Sequence, residues 1–219
     1  MEENKKQEGR ILLIDKPYKW TSFAVVNKLR YKFKIKKIGH AGTLDPLATG
    51  LLIICTHSMT KRIEDFMGLE KEYTGKFVIG SVTASYDLET PVSEPKDISS
   101  ITEDLINAAV KSLTGKINQL PPVHSAIRVG GKRAYDFARE GKEITLSLRE
   151  VEIKEFEITS VALPVIGFRV VCSKGTYIRS LAHDLGEKLG VGAYLSELCR
   201  TRIGPYKLSD AQTIEEAIA

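Results

Sequence analysis

The sequence predicts an α+β fold, a mixed and largely antiparallel sheet flanked by helices, formed by one domain over residues 1–219. Three observations carry that expectation. Short apolar runs of strand character recur along the chain, several in succession without a helix between them. Helical stripes of apolar residues appear beside some of these runs. The regular strand–helix alternation of a doubly wound fold is missing. A mixed, basic stretch over about 120–145 reads as a surface excursion from this domain.

Taken in order, Ile11 to Asp15 (ILLID) is a short buried strand. Thr21 or Ser22 caps a helix that turns Val25, Val26, Leu29 and Phe33 inward. A glycine-punctuated loop, Gly39 to Gly50, leads into a second buried strand, Leu51 to Cys55. Thr60 caps a short helix to about Met67. Tyr73, Phe77 and Ile79 share one face of a strand that contains Gly75. Thr102 opens a helix with Leu105, Ile106, Ala109, Val110 and Leu113 inward, ended by Gly115. After Pro121-Pro122, Gly130-Gly131 marks a hairpin turn, and Ala134 to Glu140 a short helix stopped by Gly141. Val151 to Val161 alternates as a strand whose apolar phase slips between Ile153 and Phe156, the mark of a bulge. Phe168 to Cys172 is another strand. Thr176 to Leu189 is the clearest helix, with Ile178, Leu181, Ala182, Leu185 and Leu189 in one stripe and Gly190 as its stop. Thr213 and Glu216 form a capping box.

Composition narrows the function classes. The hydrophobic share of 42% and charged share of 27% are those of a globular protein. No apolar run approaches the roughly 20 residues of a membrane helix. Met1 to Arg10 is charged, without the apolar stretch of a signal peptide, so a cytoplasmic address and no membrane association are expected. Cys55, Cys172 and Cys199 are widely spaced, which suggests buried thiols rather than a disulfide framework or zinc site. The net charge of +4 is modest, but Lys28 to Lys37 (KLRYKFKIKK) carries six cations and no acid, with Tyr31 and Phe33 among them. Such a stripe suits a phosphate backbone, or equally a solvated helix end.

The segment GHAGTLDPLATG, Gly39 to Gly50, is the most informative. Its glycines permit turns that other residues resist, and Pro46 forces Asp45 into an extended conformation. The carboxylate is thereby aimed by its backbone, and the apolar strand that follows anchors the loop. An ordinary turn-capping aspartate is the competing reading. No Gly-Lys-Ser/Thr follows the glycines, His40 lacks the partners of a zinc deaminase, and no GxGxxG occurs, so no cofactor or metal is indicated.

GHAGTLDPLATG closely resembles the catalytic motif of the TruB family of tRNA pseudouridine synthases. ILLIDKP resembles that family's opening strand and Lys-Pro element, KEYTG its second motif, SKGTYIRSLAHDLGEKLG its third, and LCRTRIGPY its last core strand. These five segments stand in the family's order over nearly the whole chain. The resemblance implies the pseudouridine synthase fold with an RNA-gripping surface insertion. It implies isomerisation of uridine-55 in the T loop of tRNA, by base flipping and without a cofactor. The competing class is a non-catalytic tRNA-binding or folding helper; a third is an RNA-guided synthase. No obligatory protein partner is expected, and a monomer is.

Residue by residue, Asp45 matches the essential aspartate, proposed in the family as nucleophile at C1′, nucleophile at C6, or base at C2′. Arg179 matches the arginine that pairs with it and would favour its charged form; the plain alternative is a surface arginine. Tyr73 matches the tyrosine that stacks on the target base, Leu198 an apolar residue packed on that base, and His40 a histidine that handles the flipped nucleotide. Ordinary packing or turn roles compete for all three. Lys16 supports the active-site loop or is a plain surface lysine. Arg128, Lys132, Arg133 and Lys142 would grip RNA from the insertion, beside the Lys28 to Lys37 stripe. Many family members continue into a PUA-type domain, for which this sequence leaves no room. Ala24, Ala84 and His124 depart from residues common in the family and imply altered RNA contacts only.

Overall fold

The computed structural model describes residues 8–125, 127–139 and 144–219, with backbone alone at 128, 129, 132, 133, 136, 138 and 139. The chain forms two compact units, Met1–Tyr73 with Leu198–Ala219, and Thr74–Glu197.

In the first unit, β1 (Ile11–Lys16) leads to helix α1 (Ser22–Phe33), β2 (Ile38–His40) and the long β3 (Ala48–Thr56). A 3-10 turn (His57–Arg62), α2 (Ile63–Gly68) and the start of β4 (Lys71–Ile79) follow. The chain returns through the end of β10 (Ala193–Ile203), then β11 (Tyr206–Lys207), a second 3-10 turn and α6 (Ile214–Ile218). β3 pairs antiparallel with β1, Ile11 opposite Cys55, and with β2, but parallel with β10, Leu198 opposite Ala48. The sheet is therefore mixed and mostly antiparallel, as expected.

The continuous apolar run of β3 follows from burial on both faces. Leu52 and Ile54 pack with Val25, Val26 and Leu29 of α1 and Ile214 of α6. Leu51, Ile53 and Cys55 point the other way, to Ala41, Phe66 and Ile203. Thr21 caps α1 by accepting from the Ala24 N–H, and Thr213 and Glu216 complete the capping box of α6.

In the second unit the neighbouring strands are the rest of β4, β9 (Val165–Cys172), β8 (Arg149–Ala162) and β5 (Gly115–Gln119). Helices α3 (Glu103–Ser112) and α5 (Ile178–Leu189) accompany them. Phe77 of β4 stacks on Phe168 of β9 with ring centroids 3.9 Å apart. β8 slips register between Ile153 and Glu155, where the apolar phase broke, and again between Ile158 and Ser160. The basic excursion holds the hairpin β6 (Arg128–Val129) and β7 (Lys132–Arg133), turning on Gly130 and Gly131 at φ 58° and 88°, and α4 (Ala134–Arg139). Glu140, Gly141 and Lys142, and the side chains of Arg128, Lys132 and Arg133, lie outside the described residues.

Several expectations need correction. The Asp45 loop spans only 41–47, because Gly39 and His40 pair with β3 and Ala48 to Gly50 pair with β10. Thr60 lies inside the 3-10 turn, its hydroxyl donating to the His57 carbonyl (2.8 Å), and caps no helix. Leu105 is half exposed, about 100° round α3 from Ile106 at the edge of the stripe. That helix ends at Ser112 with Leu113 as its C-cap, and Gly115 instead opens β5, a strand missed for its polar sequence. Helix α5 begins at Ile178, since Tyr177 is extended and its N–H is held by the Gln119 side chain (2.8 Å). Cys55 and Cys172 are buried, but Cys199 only partly.

Gly75 is required by close approach: a Cβ there would fall 2.1 Å from the Glu197 carbonyl oxygen and 2.8 Å from the Phe168 ring. Gly75→Ala should therefore cost about 1–3 kcal/mol, the usual range for overpacking; urea unfolding would measure it, and an unchanged midpoint would refute this account of the strand.

Candidate active site around the Asp45 turn

Asp45 sits half-buried in the 41–47 loop, and the peptide groups around it are fixed one by one. The Ser22 hydroxyl, buried at the start of α1, accepts from the Leu44 N–H (2.9 Å) and donates to the Leu44 carbonyl (3.2 Å). The Pro46 carbonyl accepts from the Lys19 N–H at 2.8 Å and from Lys16 Nζ at 3.4 Å. Asp45's own carbonyl accepts from the Ala48 N–H at 3.1 Å, closing the turn into β3. Gly42, at φ 101°, supplies the bend that starts the loop. The carboxylate is thus delivered by a backbone with little freedom, as the X-Pro geometry demands.

Lys16 is no surface lysine. It is 0% exposed, and its ammonium donates to the carbonyls of Trp20 (2.6 Å), Pro17 (2.9 Å) and Pro46. Burial lowers its pKa to about 8, with the Arg200 guanidinium pushing the same way and the Asp45 and Asp15 carboxylates opposing. Three carbonyl acceptors and a nearby carboxylate are the surroundings that make a buried ammonium tolerable.

A second buried cation was missed in the sequence. Arg200, on β10 and 1% exposed, donates from Nε to the Leu51 carbonyl (2.8 Å) and from Nη2 to the Gly42 carbonyl (3.2 Å). It therefore ties together the two ends of the segment that carries Asp45. The sequence carried little signal, since LCRTRI holds a second arginine, Arg202, and only the fold sinks Arg200 among acceptors. Gly50 allows the approach, since a Cβ there would meet the Arg200 carbonyl oxygen at 2.4 Å.

His40 is half-buried, and its pKa is lowered first by burial and then by Arg200, while a bond to the Gly42 backbone opposes. Its imidazole is neutral at pH 7, and Nδ1 is buried without a hydrogen-bond partner among the described residues. Leu198 lies opposite Ala48 and is partly exposed, its carbonyl accepting from the Thr49 hydroxyl. Tyr73 is buried on β4, one residue after Glu72, whose carbonyl accepts from Thr201 of β10. The first unit thus gathers Lys16, His40, Asp45 and Leu198 around β3 and β10.

Arg179 belongs to the second unit, near the start of α5, and is 3% exposed, which excludes the surface reading. Its Nη1 donates to the His124 carbonyl (2.8 Å) and the Ser85 carbonyl (3.3 Å). Its Nε lies 3.7 Å from Oδ2 of Asp87, itself buried. Asp87 was not singled out from TASYDLET, although a buried arginine calls for an acid near it. Tyr86, at φ 63°, stacks on His183 with ring centroids 4.2 Å apart and sets the turn that presents Asp87. The foot of the basic excursion is fastened to the same helix end: Gln119 bonds the Tyr177 backbone in both directions, and Ser180 donates to the Leu120 carbonyl. His124, where the resemblance departs, contributes its backbone, which any residue would supply.

The sequence matches the family profile described as TruB family pseudouridylate synthase (N terminal domain) over residues 30–178. It matches the tRNA pseudouridylate synthase B C-terminal domain over residues 179–219. A protein of Flavobacterium johnsoniae named tRNA pseudouridine synthase B is 54% identical over 211 residues, covering 93% of this chain and 92% of that one. A namesake from Phocaeicola vulgatus is 51% identical over 215 residues, with 95% and 92% covered. Among solved structures, a chain of a Cbf5-Nop10-Gar1 complex is similar with a TM-score of 0.74 at 30% identity, covering 95% of this chain and 53% of that one. A chain of an H/ACA RNP bound to a substrate RNA containing 2′-deoxyuridine gives 0.72 at 28% identity, covering 97% and 53%. This chain spans about half the length of each of those two.

Lys16 yields a pH signature. Its folded value of about 8 lies below the unfolded 10.5, so between those values the unfolded chain holds more protons and stability from this group rises with pH. The stability of wild type relative to Lys16→Met should therefore climb from pH 8 to 10.5 in urea unfolding. A flat difference would show that the ammonium is not held as described.

Proposed function

Because the chain belongs to the TruB family of pseudouridylate synthases, we propose that it isomerises a uridine of transfer RNA to pseudouridine, with uridine-55 of the T loop as its target. The observation that carries this reading is the Asp45 turn, whose carbonyl and amide groups are anchored on both sides so that one carboxylate is presented in a set direction. Curated relatives named tRNA pseudouridine synthase B, aligned over nine-tenths of their own length, support the substrate.

The reaction is redox-neutral and conserves every atom. The N1–C1′ bond breaks, the uracil turns, C5–C1′ forms, and the C5 proton is lost as N1 gains one. Nothing has to be supplied by a cofactor. Asp45 acts at the sugar or the base by attack at C1′, attack at C6, or removal of the C2′ proton; each needs the carboxylate ionised. By the resemblance, Arg179 is its counter-charge. Tyr73 and Leu198 sandwich the uracil, with the tyrosine close to the C5 proton, and neutral His40 handles the displaced nucleotide. Lys16 keeps the turn in place.

A uridine stacked in a folded loop is out of reach, so the target is flipped, at a cost of a few kcal/mol. Phosphate contacts from the Lys28 to Lys37 stripe, and from Lys132 and Arg133 of the insertion, offset that cost and make binding weaken with salt. The enzyme works in the cytoplasm on free tRNA, as a monomer, without a guide RNA or protein partner. No helix among the described residues is long and apolar enough to cross a membrane.

The test is tritium release from T-arm RNA labelled at uridine C5, with no guide RNA added. Wild type should release tritium. Asp45→Asn should keep its RNA affinity while losing turnover by on the order of 10²–10⁴-fold or more. Retained turnover would remove Asp45 from the chemistry. Tight binding by wild type with no release would favour the folding helper.

A further inference from the structure

The cations at the end of α1 are assigned phosphate contacts above, but this region carries features that neither those contacts nor helix capping uses. Arg30, Tyr31, Lys32, Lys34, Ile35 and Lys36 line a groove of about 450 Å³, within the roughly 300–1,000 Å³ usual for ligand sites. Tyr31 is 81% exposed, so its ring lies open to solvent over most of its surface. Arg30 Nη1 is held by the Asn27 side chain at 2.8 Å, whereas its Nε has no hydrogen-bond partner among the described residues.

Cations in a last helical turn ordinarily complement the helix dipole, which accounts for Arg30 and Lys32. It does not account for Lys34. The Lys34 N–H bonds the Tyr31 carbonyl and the Ile35 N–H bonds the Arg30 carbonyl, a Schellman ending whose left-handed position glycine would occupy without strain. Lysine sits there instead, at φ 53° and ψ 37°. Local strain is kept where the side chain it presents is used, and here that side chain is on the rim of the groove.

We propose that this groove is a second RNA-binding site, taking an unpaired nucleotide of the tRNA other than the target uridine. Its base stacks on Tyr31, and its flanking phosphates lie against Arg30, Lys32, Lys34 and Lys36. An exposed ring set among cations with no acid from Lys28 to Lys37 is the pattern that binds single-stranded nucleic acid. The inference rests on the tRNA reading above and adds a place where the RNA is held away from the chemistry.

The strained lysine provides the test. In the full chain, Lys34→Gly should raise the melting temperature by relieving the left-handed strain, yet weaken tRNA binding several-fold and reduce its salt slope by about 1. Tyr31→Ala should weaken binding about 5-fold or more, as loss of one stacked base does, and Tyr31→Phe should restore it. A more stable Lys34→Gly protein with wild-type tRNA affinity and salt slope would overturn the site, leaving the cations to the helix end. So would unchanged affinity in Tyr31→Ala, or binding of anionic vesicles that these variants lose while tRNA affinity stays constant. If wild type isomerises uridine and the variants bind like it, this inference alone fails. A wild-type chain that neither binds nor isomerises tRNA overturns both.

Discussion

The structure around Asp45 depends on backbone carbonyls answered by buried cations. A loop that starts at Gly42 and turns at a proline has few amide donors to satisfy its own carbonyls. Two side chains from distant parts of the sequence add donors: Lys16 from β1 reaches Pro46 beside the Lys19 N–H, and Arg200 from β10 reaches Gly42 in the loop and Leu51 in the strand that follows. Both strands pair with β3, so the sheet register decides where the cations arrive. A slip of one residue in either pairing would turn them to the opposite face. The precision of the carboxylate is therefore inherited from strand pairing.

That arrangement also fixes the electrostatic character of the site. Burial lowers the pKa of both Lys16 and His40, and the Arg200 guanidinium pushes each the same way. Asp45 thus sits in a loop held by two buried cations, near a histidine whose burial disfavours its charged form.

Much of this was legible in the sequence where local rules govern. The strands ILLID and LLIIC, the α1 and α6 caps, the bulge in β8 and the excursion's glycine turn each follow from residues within a few positions of one another. Asp45 was legible because proline constrains its neighbour. Arg200, Asp87 and Ser22 were not, because their partners lie far away in sequence: 158 residues separate Arg200 from Gly42, and 22 separate Ser22 from Leu44. β5 was hidden by its polar residues, and Thr60 misled because a capping residue type also serves inside a 3-10 turn.

The fastening of the basic excursion to α5 bears on how the protein can be re-engineered. Arg179 takes an acceptor from the His124 backbone, and the first turn of its helix leans on Gln119 and Leu120. The appendage is therefore not a detachable module. Trimming it at its root, or grafting it from another scaffold, would strip a sunken guanidinium of an oxygen and loosen the helix end that aims it. A swap confined to the outer hairpin would leave that joint untouched.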